Sequence, residues 1–258
     1  MENNKLKIKT LLLFLFILLV SAGFYGVLNI GNNDQQGQLP YQNLRCQLTI
    51  NLPCSRTALP SPVEKIPAEE RTTADLILLG ARQEAVNKVS YDAAYATISY
   101  PGGDVPPDRG ACTDVIIRAF RHAGLDLQQL IHEDMERNFS LYPQRWGLES
   151  PDSNIDHRRV PNQAFFFTRH GMQLTLEVEG CLDEWQWGDV VCWRFANGRD
   201  HCGIISDRTR SDGLPLVIHN AGQAKEEDCL LRWEITGHFR YPAHPDNANT
   251  PATQTVQE

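Results

Sequence analysis

A change of pattern near residue 181 constrains the fold of this chain more than any other feature. Upstream of it, apolar residues recur with helical spacing. The predicted helices cover about 72–89, 112–123, 126–138 and 161–170. Downstream, short runs of β-forming residues alternate with turn pairs such as Asn-Gly and Asp-Gly. The predicted strands cover about 188–195, 201–206, 216–220 and 230–241. Helices grouped before an antiparallel meander indicate an α+β fold.

The N-terminal segment predicts export. Three lysines within residues 1–10 precede residues 11–30, which carry no charge. About 20 apolar residues span a bilayer, so we expect a single-pass anchor in the inner (cytoplasmic) membrane, with residues 1–10 in the cytoplasm. A cleaved signal peptide is the alternative, since small residues occur at 21–23. Both interpretations place the rest of the chain in the periplasm or another extracytoplasmic space.

The remaining chain divides into three parts. Residues 31–70 are polar and proline-bearing, which predicts a semi-rigid tether. Residues 71–241 form the predicted folded domain. Residues 242–258 are again polar and are expected to be disordered. The formal net charge of −8 lacks the basic footprint of nucleic-acid binding, so no nucleic-acid partner is expected.

Cys112 is the candidate nucleophile. It opens the predicted helix 112–123, where free backbone N–H groups and the helix dipole stabilise a thiolate. The apolar residues Val115, Ile116 and Ala119 share its helix face. Free cysteines are often buried fillers, so a structural cysteine is the alternative interpretation.

Two histidines follow on neighbouring predicted strands. His201 begins the second strand, and His219 lies near the end of the third. A cysteine nucleophile needs a base, and that base needs a polar group to orient it. The two histidines can supply these roles if the sheet packs against the N-terminus of the cysteine helix.

Several segments resemble the NlpC-type cell-wall cysteine peptidases, a papain-like group. They are Ala111-Cys-Thr-Asp114, Trp187-Gly-Asp-Val-Val191, His201-Cys-Gly-Ile-Ile205 and Val217-Ile-His219. A longer set, within about 75–241, resembles an uncharacterised bacterial domain-of-unknown-function family that is grouped with those peptidases. It comprises Tyr100-Pro-Gly-Gly-Asp-Val-Pro106, Arg109-Gly-Ala-Cys-Thr-Asp-Val115, His132-Glu-Asp-Met135, Tyr142-Pro-Gln-Arg-Trp146, Asn154-Ile-Asp-His-Arg-Arg-Val-Pro161 and Thr236-Gly-His-Phe-Arg-Tyr241.

The resemblance implies a papain-like or NlpC-like fold, with N-terminal helices packed on an antiparallel sheet. It implies that Cys112 is the nucleophile, His201 the general base and acid, and His219 the orienting residue. The expected reaction is hydrolysis of an amide bond in peptidoglycan stem peptides, or in another envelope peptide, through an acyl-enzyme. The two alternatives are a non-catalytic envelope-binding or scaffolding module and an acyltransferase that uses the same cysteine.

Other residues are assigned around this centre. In the resembling peptidases a tyrosine upstream of the cysteine often helps to hold the oxyanion. The candidates here are Tyr91, Tyr95 and Tyr100. Asp114 stands where those peptidases commonly have glycine, and we expect it to point away from the thiol. The predicted substrate-binding residues are Tyr100, Asp108, Arg109 and Asn220.

No cofactor is expected, and no metal. His132-Glu133 lacks the second histidine of a zinc-peptidase motif, and the cysteines lack paired metal-ligand spacing. The seven cysteines allow six to pair and leave Cys112 free, although the pairing cannot be read from sequence. The alternative is that most of them are unpaired.

Overall fold

The computed structural model describes residues 61–243. The predicted anchor at 11–30, the predicted tether up to residue 60 and the predicted tail from residue 244 lie outside the described residues. Within 61–243, no helix combines the length and apolar character needed to cross a bilayer.

Four α-helices lie within the described part of the chain, close to their predicted positions. They are α1 (Thr73–Val86), α2 (Cys112–His122), α3 (Leu127–Asn138) and α4 (Val160–His170). A capping box begins α1, because the Thr72 hydroxyl accepts from the Asp75 N–H while the Asp75 carboxylate accepts from the Thr72 N–H. Gly124 follows α2 with a φ of +81°, a left-handed conformation that ends the helix.

The strands form two sheets. The parallel pair is β1 (Ser90–Tyr91) and β2 (Arg109–Gly110). The antiparallel sheet contains β3 (Met172–Gln173), β4 (Val190–Arg194), β5 (Asp200–Thr209), β6 (Pro215–Asn220), β7 (Ala224–Glu227) and β8 (Glu234–Arg240). Its strand order is β3-β8-β4-β5-β6-β7. The α+β class is therefore confirmed, and β4, β5, β6 and β8 match the predicted strands.

Alternating residues of the central strands pack into two different hydrophobic cores. Ile204 of β5 packs into the core that includes the helices, whereas Ile205 packs with Trp193 and Leu230 into a second core. Side chains alternate between the faces of a strand, so these cores lie on opposite faces of the sheet. Both isoleucines are fully buried, and each such side chain contributes about 1.5–3 kcal/mol of transfer free energy. This two-sided burial fixes the register of β5, and with it the position of His201.

Candidate active site

Cys112 is the first residue of α2 and is buried, with 5% of its surface exposed. The helix start is held by Asp114, whose carboxylate accepts from the Ala111 N–H at 2.6 Å. The same carboxylate binds the Arg158 Nε and Nη2 at 2.8 and 2.9 Å. Asp114 is therefore turned towards a buried arginine, which confirms the expectation that it points away from the thiol.

The backbone that leads into Cys112 is fastened to the sheet by Asn220, the last residue of β6. Its side-chain amide is fully buried and donates to the Val89 and Gly110 carbonyls at 3.1 and 3.0 Å. Arg158 adds a contact by donating to the Ala94 carbonyl at 2.9 Å. The two Asn220 bonds join the residue before β1 and the last residue of β2 to one end of β6.

His201 and His219 lie side by side on β5 and β6, as the sequence predicts. The His201 Nε2 is 2.8 Å from the His219 Nδ1. Gly203 is the direct cross-strand partner of His219, and a Cβ at position 203 would lie 2.8 Å from Val217 Cγ1 and 3.1 Å from His219 Cβ. The missing side chain therefore lets β5 and β6 approach closely enough for the two rings to meet.

The thiol of Cys112 is placed in an environment that favours its ionised form. A hydrogen bond with the Cys202 thiol holds the pKa of Cys112 well below its usual range, and His201 acts in the same direction against the effect of burial. Burial raises the pKa of Cys202, so Cys202 keeps its proton and acts as the donor of the pair. A thiolate at Cys112 beside an imidazole is the arrangement that nucleophilic catalysis by cysteine requires.

Of the three candidate tyrosines, Tyr91 is the one within electrostatic range of the thiol. Burial raises its pKa, and the Cys112 charge adds to that rise. Its side chain remains partly exposed. Tyr95 instead donates to Asp152 at 3.1 Å, and Tyr100 packs its ring 4.8 Å from that of His132. Among the three tyrosines that the sequence leaves open, Tyr91 is therefore the candidate for the role beside the nucleophile.

Comparison with known proteins places this chain in a family. Residues 78–241, more than half of the chain, match the family described as a domain of unknown function, DUF1287. The chain belongs to the DUF1287 family. It is 50% identical over 185 residues to the uncharacterized protein YijF of Escherichia coli strain K12, an alignment that covers 71% of this chain and 88% of that protein. No solved structure matches it.

The predicted substrate-binding residues of this DUF1287 domain are dispersed. Asp108 and Arg109 form an exposed ion pair at 3.3 Å on the approach to Cys112, where both side chains remain accessible. Asn220 is enclosed, and its amide is fully used in backbone hydrogen bonds. The structure thus gives Asn220 a structural role and places the Tyr100 ring beside His132 of α3.

Sequence reasoning missed Glu227, whose Oε1 lies 2.8 Å from the His219 Nε2. Glu227 ends β7, a strand that was not predicted because Ala-Lys-Glu-Glu contains no strong β-former. It also missed Cys202, which follows His201 on the opposite face of β5 and packs in the same core as Cys112. No sequence signal identifies either residue without the strand pairing.

The cysteines of this DUF1287 domain do not form the six-cysteine pairing. Cys112, Cys192, Cys202 and Cys229 are free, so that hypothesis is wrong, and Cys181 is disulfide-bonded. Cys192 and Cys202 face each other across β4 and β5 and are both buried, in agreement with the alternative of mostly unpaired thiols.

One group of side chains among residues 61–243 brings three possible metal ligands together. The ligand atoms of His219, Glu227 and Cys229 lie within 4.8 Å of one another. Glu227 is already bound by Arg232 at 2.7 Å and by Lys225 at 3.1 Å. Two positive charges on the only carboxylate oppose the arrival of a cation, so this group fits an ion-pair network better than a metal site.

Proposed function

We propose that this DUF1287 protein is an exported cysteine hydrolase with a papain-like, NlpC-like active site, and that it cleaves an amide bond in peptidoglycan stem peptides. One observation carries the proposal. The buried Cys112 thiol at the start of α2 has a lowered pKa and interacts with His201, which contacts His219 at 2.8 Å. Three groups in this order are the parts of a nucleophile, base and orienter system.

In the first step the Cys112 thiolate attacks the carbonyl carbon of the scissile amide. The carbonyl π electrons move to oxygen, and the resulting oxyanion is held by the Cys112 backbone N–H, which has no acceptor within the helix. Tyr91 is the proposed donor of a second hydrogen bond, because it is the candidate tyrosine influenced by the Cys112 charge. His201 then gives its proton to the leaving nitrogen, the C–N bond breaks, and a thioester remains on Cys112.

In the second step water attacks the thioester. His201 removes a proton from the water, the C–S bond breaks, and the Cys112 thiolate leaves. His201 ends the cycle protonated beside the thiolate, so protons and electrons balance over the two steps. His219 holds the His201 ring throughout by the Nε2–Nδ1 contact.

The substrate class is supported by two features. The segments around Cys112, His201 and His219 resemble those of cell-wall peptidases. The predicted export of residues 31–258 would place the site on the side of the membrane where peptidoglycan lies.

The test is incubation of purified muropeptides with the wild-type protein and with Cys112→Ala, with products analysed by mass. We expect hydrolysed peptides from the wild type only. Cys192→Ala is the matched control, because Cys192 is a buried thiol of the same core whose pKa is raised by burial. It should retain activity. An acyltransferase would give products that gain an amine, and equal turnover by wild type and Cys112→Ala would refute the nucleophile assignment.

The binding-module alternative has a separate readout. A thiol-selective alkylating probe should label Cys112 faster than Cys192, Cys202 and Cys229. Slow and uniform labelling of all four, together with muropeptide binding without turnover, would favour a non-catalytic module.

A further inference from the structure

Glu227 lies at the end of β7 in contact with three nitrogen-bearing side chains. Its Oε1 is 2.8 Å from the His219 Nε2 and 2.7 Å from the Arg232 Nη1, while its Oε2 is 3.1 Å from the Lys225 Nζ. Lys225 is the direct cross-strand partner of His219. Glu227 is two residues further along β7, so strand alternation puts it on the same face as His219, diagonal to it.

Glu227 is ionised over the whole neutral range. Burial opposes its ionisation, but hydrogen bonds from Arg232, His219 and Lys225 outweigh burial and lower its pKa to about 2. An ionised carboxylate has no proton and can only accept hydrogen bonds. The Nε2 of His219 must therefore carry the hydrogen of the contact with Glu227.

The state of His219 follows from this contact. Burial, followed by repulsion from His201, lowers the pKa of His219 to about 4, so its ring is neutral at pH 7. A neutral imidazole carries one N–H, and in His219 that hydrogen is on Nε2. Its Nδ1 is then an acceptor, and the hydrogen of the 2.8 Å contact between the rings must belong to the His201 Nε2.

We infer that Glu227 is a positioning residue that sets the tautomers of both histidines, extending the site from three residues to four. With Nε2–H directed at His219, the neutral His201 ring has its lone pair on Nδ1, the nitrogen left for the Cys112 proton. The reverse tautomer would present an Nδ1–H to Cys112 and could not act as a base. This inference rests on the proposed function, because a base is needed only if Cys112 acts as a nucleophile.

Arg232 and Lys225 hold Glu227 in place for this role. Arg232 also donates to the Asp228 carbonyl at 2.9 Å, and its guanidinium carbon lies 5.1 Å from the centre of the Trp233 ring. The Trp233 ring in turn packs on both histidines, at 5.6 Å from His201 and 5.7 Å from His219. The carboxylate and the two rings are thus restrained by one set of contacts.

The experiment compares Glu227→Gln with Glu227→Asp and with the control Glu234→Gln. Glu234 is an exposed carboxylate of β8 in the same sheet. Glutamine can either accept from or donate to His219, so it removes the reason for a single tautomer. We expect Glu227→Gln to lower kcat about ten- to a hundredfold with little change in KM, by analogy with other groups that orient a functional histidine. Glu227→Asp should recover part of the loss, and Glu234→Gln should match the wild type.

A second readout does not require turnover. The ¹⁵N NMR shifts of the ring nitrogens report tautomers. At pH 7 the wild type should show His219 with its hydrogen on Nε2. The His201 tautomer is measured in Cys112→Ala, which removes the thiolate, and its hydrogen should also be on Nε2. Glu227→Gln should show a mixture in both rings, with slower alkylation of Cys112. If muropeptides are not cleaved but these changes occur, the proposed substrate is wrong and the tautomer role stands. Wild-type tautomers and alkylation rates in Glu227→Gln would overturn the role of Glu227.

Discussion

The sheet contains two buried histidines that each meet a carboxylate and, beyond it, an arginine. His219 contacts Glu227 at 2.8 Å, and Glu227 binds Arg232. His238 contacts Asp189 at 3.1 Å, and Asp189 binds Arg240 at 2.7 Å. Both imidazoles are fully buried, so neither burial nor the ion pair distinguishes one site from the other.

The second ring nitrogen distinguishes them. In His238 the Nδ1 meets the Thr175 carbonyl at 2.9 Å, and the ring stacks on Trp185 at 3.7 Å between centroids. In His219 the Nδ1 meets His201, and through it the Cys112 thiol. The second nitrogen of His238 is thus bound to a backbone carbonyl, whereas the second nitrogen of His219 is bound to a side chain that can exchange a proton. A functional histidine is therefore recognised by what lies on both sides of its ring.

The largest expected effect concerns the His201 side of this comparison. Replacing His201 with Gln keeps the side-chain volume and removes the base, so kcat/KM for muropeptide hydrolysis should fall about 10⁴-fold or more. The thermal midpoint should change little. Steady-state kinetics and a thermal scan on one preparation check both statements, and turnover near the wild-type rate would remove the functional distinction between the two sites.

The next effect belongs to the His238 side. Asp189→Asn takes the charge from a buried carboxylate that accepts from Arg240, His238 and the Gln186 N–H. We expect the free energy of unfolding to fall by about 3 kcal/mol. This is the lower limit of the usual loss when a buried ion pair is broken, because Arg240 is partly exposed. Urea denaturation measures it. Activity per folded molecule should be retained, and a selective loss of kcat would show that this cluster also serves the reaction.

The smallest effect per residue is a pH dependence of stability. The ordinary pKa of 6.5 is lowered to about 4 in His219 and to about 3 in His157, first of all by burial. Between pH 6.5 and 4 the unfolded chain binds protons that the folded chain does not, so stability is lost as the pH falls through this window. At pH 5 each histidine should cost about 2 kcal/mol relative to pH 7.

Urea denaturation at pH 7 and pH 5 checks this dependence. His219→Gln should show a smaller loss of stability than the wild type by about 2 kcal/mol. Glu227 does not confuse the result, because the stabilisation from its lowered pKa is lost only below its ordinary value of 4.5. If His219→Gln loses as much stability between pH 7 and pH 5 as the wild type does, the His219 ring is already protonated in the folded wild-type protein at pH 5.

Features that repeat along the chain could be predicted from the sequence. The helical spacing of apolar residues located all four helices to within a few residues, and β-forming runs located the four longest strands. Cys112, His201 and His219 could be brought together because each sits at a recognisable position in a predicted element. The two edge strands β3 and β7 were missed, since two or four residues without a β-forming pattern carry no periodic signal.

Contacts between distant segments could not be predicted in the same way. Asp114 and Arg158 are 44 residues apart, and their pairing depends on how the turn before α4 packs against α2. Within the basic cluster His157-Arg158-Arg159, nothing in the sequence identifies Asp114 as the partner of Arg158, and the pair is buried. Glu227 likewise acquires its neighbour only when β7 pairs with β6. These partners are selected by tertiary packing, which one sequence does not specify locally.

The amide of Asn220 has a consequence for the thermodynamics of binding. Because it fastens the Val89 and Gly110 carbonyls to the strand that carries His219, the backbone before Cys112, the thiol and the imidazoles are oriented when the chain folds. A substrate would then lose its own translational and rotational freedom without having to order the protein as well. Preorganisation of this kind lowers an activation barrier through entropy, and a single side chain that touches no reacting atom would supply it.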